Sequence, residues 1–133
     1  MFSSPKYQLR FFFDYGAGGC LWAADELTCT AFGLGPIDYC IAQKTNQISV
    51  DLLTKIDELD CRHSTYLNKG YPLDPSPWSQ HECDEFNKAI DELIFDLESQ
   101  LHDFEIIDQQ ERYIEDTDLR RYLQDPTNFK RDH

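Results

Sequence analysis

Leu9-Arg-Phe-Phe-Phe-Asp-Tyr-Gly-Ala-Gly-Gly-Cys-Leu-Trp-Ala23, continued by Gly33-Leu-Gly-Pro-Ile-Asp38, is the stretch whose reading decides the fold. Its aromatic run, Phe11 to Phe13, predicts a buried strand spanning Tyr7 to Tyr15. Asp14 closes that run, and Gly16, Gly18 and Gly19 follow at once. Glycine reaches positive φ without a Cβ penalty, so this cluster predicts a sharp structural turn. Apolar Cys20 to Ala23 then re-enters the core, as a second short strand or as the opening of a helix.

The chain beyond is mostly helical. Asp25 to Phe32 predicts a short helix stopped at Gly33, a residue type favoured just past helix ends. Gly35-Pro36 turns the chain, and Tyr39 to Ala42 reads as weakly strand-like. Ser49 is placed to N-cap a helix running to about Leu67, with Leu52, Leu53, Ile56, Leu59, His63, Tyr66 and Leu67 on one face. Tyr71 to Trp78 is a proline-stiffened connector. Ser79 and Glu82 have the spacing of a capping box, with Trp78 and Cys83 at the staple positions. Phe86, Ile90, Leu93, Ile94, Leu97 and Leu101 then form the apolar stripe of a long helix ending near His102. Phe104 to Ile107 predicts a strand, and Leu119 to Leu123 a short helix stopped by Asp125-Pro126. The expected fold is α+β: one domain over residues 1–133, a small, mainly antiparallel sheet with several helices packed on it, and residues 1–6 and 127–133 frayed.

At 133 residues, with 41% hydrophobic and 14% aromatic side chains, the chain can bury a proper core. A formal net charge of −13 disfavours direct contact with nucleic acid or an anionic membrane and favours a basic protein partner. The acid is concentrated: residues 46–102 carry four cations against twelve anions, or −8. Five irregularly spaced cysteines, without a Cys-x-x-Cys pair or a leader resembling a signal peptide, imply reduced thiols and a cytoplasmic protein. No apolar run approaches the ~18 residues of a membrane helix.

Sites of known chemistry are poorly matched. The Gly16 to Gly19 loop after an apolar strand has the look of a nucleotide- or cofactor-binding loop, but Leu21 stands where the third glycine of the dinucleotide fingerprint belongs, and no Gly-Lys-Ser/Thr follows. Cys61 with His63, and His81 with Cys83, mimic halves of a zinc site; residues two apart on a helix diverge by about 200°, so neither pair can converge. His63 instead reads as a satisfied core or edge histidine. No nucleophile context or distinguished carboxylate pair is present, so the expectation is no enzyme, no metal and no cofactor.

The partner-binding candidates are Asp57, Glu58, Asp60, Asp84, Asp91 and Glu92 on the two middle helices, with Phe95. Phe95 falls opposite the apolar stripe, among carboxylates. It is either an interface anchor for a cationic partner or a ring covered by the C-terminal segment.

The order Phe13-Asp14-Tyr15-Gly16-x-Gly18-Gly19-Cys20-Leu21-Trp22-Ala23, followed by Phe32-Gly33-x-Gly35-Pro36-Ile37-Asp38, resembles a family of small bacterial immunity proteins of contact-dependent growth inhibition and related polymorphic toxin systems. The likeness extends through Tyr71-Pro72 and Pro77-Trp78 to the helix bearing Phe86; Ala24 departs from the asparagine expected there. The resemblance implies a cytoplasmic, non-enzymatic protein that neutralises one cognate toxin domain, commonly a nuclease. Two other classes remain open: a small nucleotide- or cofactor-binding protein using the Gly16 to Gly19 loop, and a generic acidic adaptor.

Overall fold

Alternation along Tyr7-Gln-Leu-Arg-Phe11 turns Tyr7, Leu9 and Phe11 to one side, where Leu9 and Phe11 are fully buried, and Gln8 and Arg10 to the other. This strand, β1 (Tyr7–Phe11), is the centre of a three-stranded sheet in the computed structural model, which describes residues 5–131. The short strand β2 (Leu21–Ala23) pairs with it antiparallel, so the Cys20 to Ala23 stretch is a strand and not a helix start. On the other side β3 (Phe104–Asp108) runs parallel to β1, in a register from Tyr7 opposite Phe104 to Phe11 opposite Asp108. The fold is α+β as expected, but the sheet is mixed, and its longer pairing is the parallel one. The reason lies in the connection: between β1 and β3 the chain passes through β2 and then a long helical run, and a long connection is what parallel neighbours require.

Local signals place those helices. Asp25 caps α1 (Glu26–Phe32), its carboxylate accepting the Thr28 N–H at 2.9 Å, and Gly33 ends it at φ +108°. Ser49 caps α3 (Val50–Ser64) through the Leu52 N–H. That helix stops short of Leu67, where the Ser64 and Thr65 hydroxyls bond back to the carbonyls of Cys61 and Arg62. Ser79 and Glu82 complete the capping box of α4 (Gln80–Gln100), and both staple residues, Trp78 and Cys83, are buried. The apolar faces of α3 (Leu52, Ile56, Leu59) and α4 (Phe86, Ile90, Leu93, Leu97) close on the inner face of the sheet in a single core cluster. The last helix, α5 (Leu119–Gln124), ends at Asp125-Pro126, as its sequence requires.

One further expectation is corrected. Tyr39 to Ala42 is not strand-like but lies inside α2 (Asp38–Thr45). Its local β-preference is overridden because Asp38, the first residue of α2, is drawn into the core by the glycine turn. The C-terminal segment makes several contacts within the described residues. Arg131 pairs with Asp116 at 2.7 Å and Asp118 at 2.9 Å and donates to the Leu73 carbonyl, while Phe129 packs edge-on against Tyr122. At the other end the Lys6 N–H donates to Asp103 O; residues 1–4 and 132–133 lie outside the described residues.

The glycine turn is organised by Asp38, only 1% exposed. Its carboxylate accepts the backbone N–H groups of Cys20 and Leu21 at 3.0 Å each and faces the Cys20 thiol at 3.3 Å. Burial, followed by the neighbouring Asp38 carboxylate, pushes the Cys20 thiol well up, so that it stays protonated as a donor. Gly18 adopts φ +86°, which a side chain resists. Gly19 is needed for a different reason: a Cβ there would stand 2.7 Å from Asp38 Oδ1 and 2.8 Å from Pro36 Cβ.

These causes separate on mutation. Gly18→Val is expected to cost on the order of 1–3 kcal/mol through backbone strain. Gly19→Ala, which meets a clash, should be more damaging than Gly16→Ala, which meets no atom within 4 Å and carries only the backbone strain of φ +74°. Asp38→Ala, which orphans two buried N–H groups, should cost about 3 kcal/mol or more. Urea unfolding of the four variants measures each; equal midpoints for Gly16→Ala and Gly19→Ala would refute the close-approach argument.

Candidate functional site

On α4 the positions Asp84, Lys88, Asp91, Glu92 and Phe95 recur at helical spacing along the side away from the core. Phe95 is 73% exposed, so among the described residues the C-terminal segment does not cover it. It lies in a shallow groove with Asp91, Glu92 and Asp96. About three turns nearer the helix N-terminus Asp84 accepts from the Gln80 amide at 2.9 Å, and Glu92 borders the seam between α3 and α4 with Arg62, Glu85, Lys88 and Ala89. Asp91 is already engaged. Arg112 donates to it at 2.7 Å and to Asp108 at 2.8 Å, clamping the segment after β3 onto α4. The same segment is held by reciprocal bonds between the Asn87 side chain and the Tyr113 backbone.

The α3 candidates separate from this stripe. Arg62 faces α4 through Glu85 at 4.0 Å. Asp57 and Asp60 occupy the opposite flank of α3: Asp57 accepts the Tyr39 hydroxyl at 2.6 Å, and Asp60 accepts the Gly18 N–H. Burial, followed by the charge of Asp57, holds the Asp60 carboxyl above its ordinary range, against the opposing pull of the Gly18 N–H. Glu58 is exposed on the outer side of α3. The seven sequence candidates therefore form an α4 group (Asp84, Asp91, Glu92, Phe95) and an α3 group (Asp57, Glu58, Asp60), not one continuous face.

The glycine loop offers few donors. The amides that a nucleotide phosphate would need, at Cys20 and Leu21, are taken by Asp38, and that of Gly18 by Asp60. Cys61 is exposed while His63 is buried, and His81 is exposed while Cys83 is buried, so both pairs diverge. No group of three or more His, Cys, Asp or Glu among the described residues is arranged to hold a metal ion. Among the same residues no helix is long and apolar enough to cross a membrane.

A second site escaped the sequence. At the carboxyl ends of the parallel pair β1 and β3, a cleft of 370 Å³ is lined by Arg10, Phe12, Tyr15, His63, Glu111 and Tyr113, with Phe13, Gln109 and Gln110. Gln110 spans its base, its Oε1 accepting the Phe13 N–H at 2.7 Å. His63, 2% exposed, lies 3.0 Å through Nε2 from the Tyr113 hydroxyl and is stacked under Tyr15 at 4.4 Å between ring centroids. Its Nδ1 is buried without a hydrogen-bond partner, so this histidine is only half satisfied. Burial pushes the Tyr113 hydroxyl far up, with the Tyr15 and Glu111 charges adding to it. The only signal in the sequence was His63 itself, because the other residues converge through a strand pairing about a hundred positions apart.

No family model matches this chain, and neither a curated protein nor a solved structure matches it.

Burial lowers the pKa of His63, against a smaller opposing contribution from Asp14. The unfolded chain therefore takes up this proton first, near pH 6.5, and the native state only at lower pH. The stability that neutral His63 contributes is present above 6.5 and is lost as pH falls from there through its depressed native value. Chemical unfolding measured across that window should show declining stability on acidification. In His63→Phe, which keeps an aromatic ring in the stack, the decline between 6.5 and the carboxylate range should be flattened.

Proposed function

We propose that this protein is an immunity protein, an antidote that binds a basic, nuclease-type toxin domain in the cytoplasm and thereby blocks it. The observation that carries the reading is Phe95, a large ring exposed between Asp91, Glu92 and Asp96 on the most strongly specified helix of the fold. An exposed aromatic ringed by acid suits a cationic surface: the ring supplies desolvated contact area and the carboxylates supply attraction. The net charge of −13 adds long-range steering. A nuclease groove attracts phosphate, so an acidic cover competes for it, and fast association matters when an unbound toxin is lethal. The resemblance across the glycine-tryptophan stretch points the same way.

The α4 group is the recognition surface in this reading. Asp57 and Asp60 serve α2 and the glycine turn, and Glu58 adds to the field without anchoring. Because Asp91 also holds Arg112, the carboxylates that test recognition without loosening the fold are Glu92 and Asp96.

The experiment is growth protection together with binding kinetics, using a basic, nuclease-type toxin domain sought among the neighbouring genes. Phe95→Ala is expected to accelerate dissociation, weakening binding by about 2 kcal/mol or more. Glu92→Gln with Asp96→Asn should slow association, and the slowing should shrink in high salt as exposed charges are screened. A folded Phe95→Ala protein that binds and protects normally would remove the anchor. Association indifferent to salt and to the double variant would remove the electrostatic part. Absence of both binding and protection in the unaltered protein would overturn the proposal.

A further inference from the structure

We propose that the cleft at the carboxyl ends of β1 and β3 binds a small zwitterion, a free α-amino acid, with its carboxylate on Arg10 and its ammonium on Glu111. Arg10 and Glu111 line the same opening, yet among the described residues they pair neither with each other nor with any other charged side chain. Arg10 is unusual in this. The other arginines, Arg62, Arg112, Arg120, Arg121 and Arg131, each meet a carboxylate within 4.0 Å. In so acidic a chain, an arginine left without a carboxylate is held away from the acid that surrounds it. What holds it is a stack: its guanidinium lies 5.5 Å from the centre of the Phe12 ring, which stacks on Trp22 at 4.8 Å and 5°. Trp22 is fixed in turn by its Nε1–H, which donates to the Phe12 carbonyl at 2.8 Å. A stacked guanidinium keeps its N–H edge for a planar, bidentate carboxylate.

The charge balance of the cleft selects the ligand class. A simple anion is attracted by Arg10 but opposed by Glu111, and a simple cation meets the reverse. A molecule carrying both charges satisfies both walls. The rings of Phe12 and Tyr15 give its carbon skeleton an apolar surface. The volume of 370 Å³ lies at the small end of ligand pockets, which run from about 300 to 1,000 Å³. The position is also where an open sheet with parallel strands presents ligands, beyond the carboxyl ends where the chain departs in different directions. His63, in the same wall, carries the unpartnered Nδ1. A buried polar atom without a partner is uncommon in a finished core and marks this wall as one whose polar groups are not all spent on the fold.

The test is a titration of the full chain followed by ¹⁵N–¹H NMR, using the common L-amino acids one at a time, with acetate and methylamine as the two half-ligands. At least one amino acid should give saturable, millimolar or tighter shifts of the Trp22 indole N–H and of the Tyr15 and Glu111 amides. Acetate and methylamine should bind far more weakly. Arg10→Gln and Glu111→Gln, both changes at the rim of the cleft, should each weaken binding about tenfold or more without moving the unfolding midpoint. The idea is overturned if no amino acid moves these signals, if acetate alone saturates them equally well, or if affinity is unchanged in both variants. The outward stripe of α4 takes no part in this cleft, so the outcome is independent of the antidote reading.

Discussion

A single buried carboxylate ties the first third of the chain together. Asp38 sits beneath the glycine turn and accepts two backbone N–H groups at the start of β2, with the Cys20 thiol as a third neighbour. Burying a carboxylate is costly, and burial raises the Asp38 pKa even against these hydrogen bonds. The bonds are what make the arrangement tenable, and they can form only if backbone and carboxylate approach closely. Gly19 permits that approach, Gly18 supplies the positive φ that turns the chain into it, and Pro36 closes the other side. The Ile37 N–H donates to the Leu21 carbonyl, so the turn before α2 is stitched to β2 twice. Without this knot β2 would be three residues with little to hold them against β1.

What could be read from the sequence follows the range of the forces involved. Every helix start set by a side chain within four residues was legible: Asp25 with Thr28, Ser49 with Leu52, Ser79 with Glu82. The apolar stripe of α4 and the outward phase of Phe95 were legible for the same reason, since helical geometry converts spacing into direction. The exposure of Phe95 was not, because it depends on where a later segment runs. α2 was misread because its decisive contact is the Asp38 carboxylate reaching back to Cys20, while Tyr39, Cys40 and Ile41 have an ordinary strand-like composition. The parallel register of β1 and β3 carries no local signature at all. The contacts of Arg131 carry no local signature either, because its partners stand 13 and 15 residues upstream, beyond any helical or hairpin spacing.

The candidate surface was legible in half. An acidic tally identifies where charge accumulates but not which carboxylates are spent. Asp57 is held by the Tyr39 hydroxyl, Asp60 by the glycine turn and Asp91 by Arg112, three structural uses that the same composition conceals. The cleft was invisible for a related reason. Arg10 and Glu111 looked like ordinary surface charges until the parallel pairing placed them on one opening.

The distribution of acid on α4 bears on why it is there. Between Glu82 and Glu98 the helix carries seven carboxylates and a single lysine, Lys88. Glu82 is well placed, near the positive end of the helix dipole and inside the capping box. The later ones are not. Glu92 and Asp96 are four apart, a like-charge spacing that costs a few tenths of a kcal/mol, and Glu98 lies in a last turn that contains no basic residue. Helix stability alone would favour lysine or arginine at these positions. The capping box, the staple and the buried stripe from Cys83 to Leu97 over-determine the helix, which lets its outer face depart from what helix formation prefers. An acidic surface carried against the helix's own electrostatics, with an exposed aromatic ring at its centre, is the pattern expected of a face shaped by something outside the fold.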